Sequence, residues 1–128
     1  MPSIGIHNEK LQVCPDTPNC VCSDAEDTLH RVEPFALELS ADQAWPLVCE
    51  LIGQLPRTRI ITSTDHYLHA EVRTAFFRFV DDLELHLRPR QQLIAVRSAS
   101  RLGRSDLGVN RKRIEHLRKH LKMRGVIR

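Results

Sequence analysis

A chain of 128 residues, 41% hydrophobic and 27% charged, has room for one hydrophobic core, and its proportions exclude wholesale disorder. The formal net charge of +3 is mild but uneven: from Arg97 onward the acids are Asp106 and Glu115 among a dense set of Arg and Lys. That asymmetry admits an acidic partner, a phosphate ligand, nucleic acid, or simply a solvated helix face.

Met1 to Gln12 lacks the basic-then-apolar order of a signal peptide, and no apolar run approaches the ~18 residues of a membrane span. The expected setting is the cytoplasm. Thiols stay reduced there, so Cys14, Cys20, Cys22 and Cys49 need not pair into two disulfides. Residues 1–30 contain CPDTPNCVCSDAEDTLH, which sustains neither period, and read as a cysteine-containing arm. Residues 31–128 read as a single α+β domain.

In that domain Arg31 to Leu39 (RVEPFALEL) predicts a first strand, confined by Pro34 to an edge or a strand start. Ser40 followed by Gln43 has the capping-box spacing, and Trp45, Val48, Leu51, Ile52 and Leu55 recur as a helical core face. Pro46 lacks the N–H an interior turn uses, so the helix is expected to kink there or to start nearer Trp45. Strands follow at Thr58 to Thr64, Tyr67 to Thr74, Phe76 to Leu87 and Gln92 to Ser100.

In the third of these, Phe77, Phe79, Leu83, Leu85 and Leu87 share one side, and Arg78, Asp82, Glu84 and His86 the other, which predicts a sheet with one wet face. Asp81 falls on the apolar side. It needs either a bulge at Val80–Asp82 that turns it out or an arginine such as Arg97 or Arg101. The last helix is expected to be capped by Asn110, with Val109 and Ile114 as a staple and Leu117 and Leu121 extending the stripe. The order β-α-β-β-β-β-α predicts a curved antiparallel sheet with two helices on one face, as in TATA-binding-protein halves and small helix-grip domains.

Three motifs carry a family resemblance: CPxxPNCV, FRFVDDLE and RSASRxGxSDLGVNRKRIExLR. Over about Leu11 to Leu121 the chain resembles the family catalogued as domain of unknown function 1499. The resemblance implies no particular activity. It implies that Cys14 and Cys20 recur, whereas the position of Cys22 is more typically serine, which weighs against a ligand set using Cys22.

The stretch SASRLGRSDLGVNRKR, Ser98 to Arg113, is the main candidate for chemistry. It sets Arg111, Lys112 and Arg113 in a first helical turn, against the positive end of the helix dipole, so negative charge should compensate. One source is internal: Asp81, Asp82, Glu84 and Asp106 would tie the loop down as a clamp. The other is a bound anion cradled by the helix start with Ser98, Ser100, Arg101, Arg104, Asn110 and Arg111. The glycine spacing matches neither a Walker loop nor a dinucleotide fingerprint.

Cys14 and Cys20 read as a thiol pair, either structural thiols or a bridge; a zinc set with Cys22 and His30 has the spacing of neither a finger nor a ribbon. His66, His69 and His86 read as solvated. The basic end lacks interleaved aromatics and a helix-turn-helix, which argues against nucleic acid. These features describe a small binding or accessory domain without cofactor or metal, holding a small anionic or amphipathic ligand between sheet and last helix. The alternative is a cysteine-based redox, metal-binding or hydrolytic enzyme using the arm.

Overall fold

The change of hydrophobic period along the chain becomes a change of layer. The computed structural model describes residues 4–76, 79–103 and 108–128. In chain order the elements are β1 (Ile6–His7), β2 (Lys10–Leu11), β3 (Cys20–Cys22), β4 (Phe35–Ala36), α1 (Ala41–Gly53), β5 (Thr58–Ser63), β6 (Tyr67–Arg73), β7 (Val80–Arg88), β8 (Leu93–Ser100) and α2 (Val109–Met123). Among the described residues β1 and β2 form a hairpin, and the other strands form one antiparallel sheet ordered β3-β8-β7-β6-β5, with β4 pairing the first part of β8. From β4 onward the order is the expected β-α-β-β-β-β-α, an α+β fold.

One face of the sheet is apolar. Leu68, Ala70 and Val72 of β6, Leu83, Leu85 and Leu87 of β7, and Ile94 and Val96 of β8 share a core with Trp45, Val48 and Ile52 of α1 and Ile114, Leu117 and Leu121 of α2. Ser40 caps α1 by accepting the Gln43 N–H. The helix starts at Ala41 and runs through Pro46 to Gly53, rather than starting near Trp45. Pro46 and the preceding-turn residue Asp42 are both exposed, so the carbonyl that loses its donor faces water. The Trp45 indole N–H donates to Thr64 O (2.9 Å) and ties α1 to the end of β5.

Several expectations are corrected. Only Phe35–Ala36 of the Arg31 to Leu39 segment is a strand, flanked by single bridges from Arg31 to Cys22 and from Leu37 to Ile127; Pro34, without an N–H, cannot extend the ladder. β7 begins at Val80, not Phe76; Phe77 and Arg78 lie outside the described residues. The first thirty residues are not all loop, since Cys20–Cys22 pairs with Arg97–Ala99 and residues 6–11 form a hairpin. α2 is capped by Gly108, whose φ of 79° suits glycine, and Asn110 is the second residue of the helix.

The largest correction concerns the second face. Asp82, Glu84, His86, His69 and Arg97 point to it and are buried, not wet. The segment preceding β3 lies over it. Leu11 packs with Cys22 and Ala95, joined by Cys14, Tyr67 and Leu93. Cys14 is bridged to Cys20 at the start of β3, which fastens that segment to the sheet.

A loop this short restricts the unfolded chain by about 2 kcal/mol. Reduction of the Cys14–Cys20 bridge is therefore expected to lower unfolding stability in urea by about that amount, and a Cys14→Ser variant should show no further loss on reduction.

Candidate functional site

The two ends of the Ser98–Arg113 stretch meet. Ser98 Oγ donates to Asn110 Oδ1 (2.6 Å), and the Asn110 amide donates to Ser100 Oγ (2.8 Å) and Asn19 O (3.1 Å). Arg113 Nη1 donates to Asn110 Oδ1 (2.8 Å) and Ser98 Oγ (3.0 Å), while its Nη2 lies 2.9 Å from Asp81 Oδ2. Asn19 in turn donates to Gly103 O (2.6 Å) and accepts from the Thr17 hydroxyl (2.7 Å). These groups hold the end of β8, the start of α2 and the segment before β3 together.

β7 pairs in unbroken register from Val80 to Arg88, so no bulge turns Asp81 outward. It stays on the helix side at 1% exposure, beside Arg113. Neither Arg97 nor Arg101 is its partner. Alternation along β8 sends both to the opposite face, where Arg101 donates to both oxygens of Asp82 (2.9 and 2.8 Å) and to Glu71 (2.7 Å). Arg111 donates to Arg31 O and Leu29 O (both 2.9 Å). The structure thus brings Ser98, Ser100 and Asn110 together and directs Arg101 and Arg111 elsewhere; Arg104 and Asp106 lie outside the described residues.

The covered second face is a layer of buried polar pairs. Glu84, 0% exposed, accepts from the Gly5 N–H (2.8 Å), the Tyr67 hydroxyl (2.5 Å) and Arg97 Nη1 (3.3 Å). Arg97, 1% exposed, also reaches Val13 O (3.4 Å), and its Nε has no hydrogen-bond partner among the described residues. His69 Nε2 lies 2.7 Å from Asp82 Oδ1. Burial, reinforced by the bond to Glu84, pushes the Tyr67 hydroxyl far above its ordinary range. Burial alone would raise Asp82 and Asp24, but the guanidiniums of Arg101 and Arg88 outweigh it and hold both carboxyls below theirs.

The thiols offer little chemistry. Cys14 and Cys20 are bridged, and burial raises Cys22 and Cys49 above the usual thiol range, so neither favours the thiolate. His30 is held between Asp27 and Thr17 O (2.7 and 2.8 Å). No group of three or more His, Cys, Asp or Glu among the described residues could hold a metal ion.

A charged surface that the sequence reading missed lies at β5 and the end of β6. Arg59 opposes Glu71 across β5 and β6, and just before β5 Arg57 meets the end of β6, where the Arg73 N–H donates to Arg57 O (2.9 Å) and Arg57 Nε donates to Arg73 O (3.2 Å). These residues, with Thr58, line a cleft of about 310 Å³ on the uncovered edge of the second face. Arg57, Arg59 and Arg73 are exposed and form no ion pair among the described residues; Glu71 is the one carboxylate of the lining, and it is bonded to Arg101. Strand parity alone would not have found it: counted back from the Thr64–His66 turn, Arg57 and Arg59 fall on the opposite face from Arg73, and the register shift between Ile60 and Thr62 brings all three to one face.

The sequence profile of the family described as "protein of unknown function (DUF1499)" matches residues 10–121. The chain belongs to that family. No curated protein and no solved structure matches it. The three motifs that carry the family resemblance meet at one end of the sheet: Asn19 from the first, Val80 to Asp82 from the second, and Ser98 to Gly103 with Asn110 and Arg113 from the third.

Removing Arg113 leaves the Asp81 charge buried without its guanidinium, so Arg113→Gln is expected to cost about 3–5 kcal/mol in urea unfolding. Adding Asp81→Asn should recover part of that loss; a double variant that merely sums the single losses would separate the two side chains energetically. For pH, His86 is held below its ordinary 6.5, first by burial and then by the charges of Arg88 and His66. Its folded value is depressed, so stability is full above about pH 6.5 and falls as the pH drops through the folded value. Asp24 and Asp82, also depressed, retain their contribution down to their ordinary 3.8 and lose it below. Melting temperature against pH should therefore show two acid limbs, and His86→Gln should flatten the upper one.

Proposed function

We propose that this member of the DUF1499 family is a non-enzymatic binding domain that receives a partner bearing phosphate or carboxylate groups at the Arg57–Arg59–Arg73 cleft. One observation carries the reading: three guanidiniums surround a concave surface whose single carboxylate is already engaged by Arg101. Arg57, just before β5, and Arg73, at the end of β6, are bonded to each other through backbone and side chain, so their like charges lie close together. A counter-charge from outside relieves that repulsion, and guanidiniums match the bidentate geometry of phosphate and carboxylate.

This reading moves the anion from the Ser98–Arg113 stretch to the sheet edge. Ser98, Ser100, Arg101, Asn110, Arg111 and Arg113 of that stretch are engaged in internal bonds, and the space between sheet and α2 is filled by Ile114, Leu117 and Leu121. It also favours binding over catalysis. The pairs with catalytic chemistry, His69 with Asp82 and Tyr67 with Glu84, lie under the arm or between strands, with His69, Asp82 and Glu84 buried, and the free thiols are held protonated by burial. The Cys14–Cys20 pairing supports an oxidising location over the expected cytoplasmic one, because a reducing compartment would open it.

Tripolyphosphate is a suitable probe. It should raise the melting temperature of the parent protein by several degrees and leave that of Arg59→Gln/Arg73→Gln unchanged, while the double variant alone melts no lower than the parent. An unshifted parent overturns the reading.

A further inference from the structure

The end of the sheet that holds the arginines also exposes its largest apolar side chains. Phe76 is 93% exposed, Leu102 66% and Phe79 46%. Phe76 and Phe79 lie in the connection from β6 to β7, and Leu102 follows β8. The two segments are neighbours, because the Arg101 N–H donates to Val80 O (3.3 Å) at the base of that connection. Arg73 closes the adjacent strand, and Arg57 sits one strand further at the same level. With strands about 4.8 Å apart, the set from Leu102 to Arg57 spans roughly 15 Å.

The arrangement is stepped. The apolar side chains lie on connections beyond the strand ends, while Arg59 and Arg73 sit behind them on the strands and Arg57 just before β5. A small soluble anion would use the guanidiniums and leave the phenyl rings in water. A nucleic acid strand would need aromatic rings interleaved with the cations along its path. Apolar tips leading and cations set back fit a bilayer, whose acyl region takes the tips while headgroup phosphates meet the guanidiniums.

The Asn19 and Asn110 bonds brace the platform behind the tips. Asn19 donates to the carbonyls of Leu102 (3.4 Å) and Gly103 (2.6 Å), so the Leu102 segment is fixed to the segment before β3. A fixed apolar loop loses less conformational freedom on insertion than a free one.

Resting on the arginine-cleft reading, we infer that the partner is an anionic lipid bilayer, docked against this end of the sheet with Phe76, Phe79 and Leu102 entering the headgroup boundary. The test is co-sedimentation of the full, disulfide-bridged chain with vesicles of phosphatidylcholine alone and of an equal mixture with phosphatidylglycerol. Binding is expected to the mixed vesicles, weakening as salt rises. Arg59→Gln/Arg73→Gln should lower partitioning about fivefold per arginine and remove the tripolyphosphate shift. Phe76→Ser/Leu102→Ser should lower partitioning about tenfold and keep both the tripolyphosphate shift and the parent's melting temperature.

The outcomes separate the two proposals. A tripolyphosphate shift without vesicle binding, or vesicle binding indifferent to Phe76→Ser/Leu102→Ser, overturns the bilayer and leaves the cleft. Vesicle binding that survives Arg59→Gln/Arg73→Gln overturns the cleft. Tighter binding to a mixed oligonucleotide than to anionic vesicles replaces the bilayer with nucleic acid.

Discussion

Two successive carboxylates in the middle of a sheet set the terms for the rest of this structure. Asp81 and Asp82 are neighbours on β7, and strand alternation points them to opposite faces. Both are 1% exposed. A buried carboxylate is costly without a cation and further hydrogen bonds, and one arginine cannot serve two faces. Two arginines from different elements are therefore required: Arg113 comes from α2 on one face and Arg101 from the end of β8 on the other. Meeting that requirement fixes where α2 begins and how β8 ends.

The covered face extends the same logic. Replacing buried ion pairs by apolar residues of similar volume is often neutral or stabilising, so Glu84 with Arg97 is weak evidence for stability. Their geometry instead specifies one docking of the arm. Gly5 reaches Glu84, Leu11 reaches Asp24, and Val13 reaches Arg97, each through its backbone. A greasy face would accept the arm in several registers; fixed donors and acceptors accept it in one. The segment before β3 covers β7 and β8 and reaches Tyr67 of β6, while β5 stays largely exposed.

What could be read from the sequence tracks the length of each signal. α1 with its Ser40 cap, the four strands after it and the apolar stripe of α2 all rest on patterns sustained over six or more residues. β3 is three residues long, too short for any period to register, so the arm was read as loop. Alternation reports polarity, not exposure. Asp82 and Glu84 looked wet because their partners come from Arg101, Gly5, Tyr67 and Arg97, all distant in sequence. Asn110 carried a cap signal, but Gly108 supplies the turn and frees the amide to join Ser98, Ser100 and Asn19. Asp81 was recognised as needing an arginine; that Arg113 supplies it depends on α2 folding back over β7.

The internal clamp and the open arginine edge are two answers to positive charge at one end of a sheet. Where the chain could bring a carboxylate to a guanidinium, as with Arg101 and Arg113, it did, and those arginines became structural. At β5 and the end of β6 it did not. Glu71, the carboxylate opposite Arg59, is engaged by Arg101, and Arg57, Arg59 and Arg73 form no ion pair among the described residues. That coupling ties the site to the fold. The same Arg101 that neutralises Asp82 inside the sheet also engages Glu71, the one carboxylate that lines the cleft, so the bonds that settle Asp82 also set the charge balance at the arginine edge.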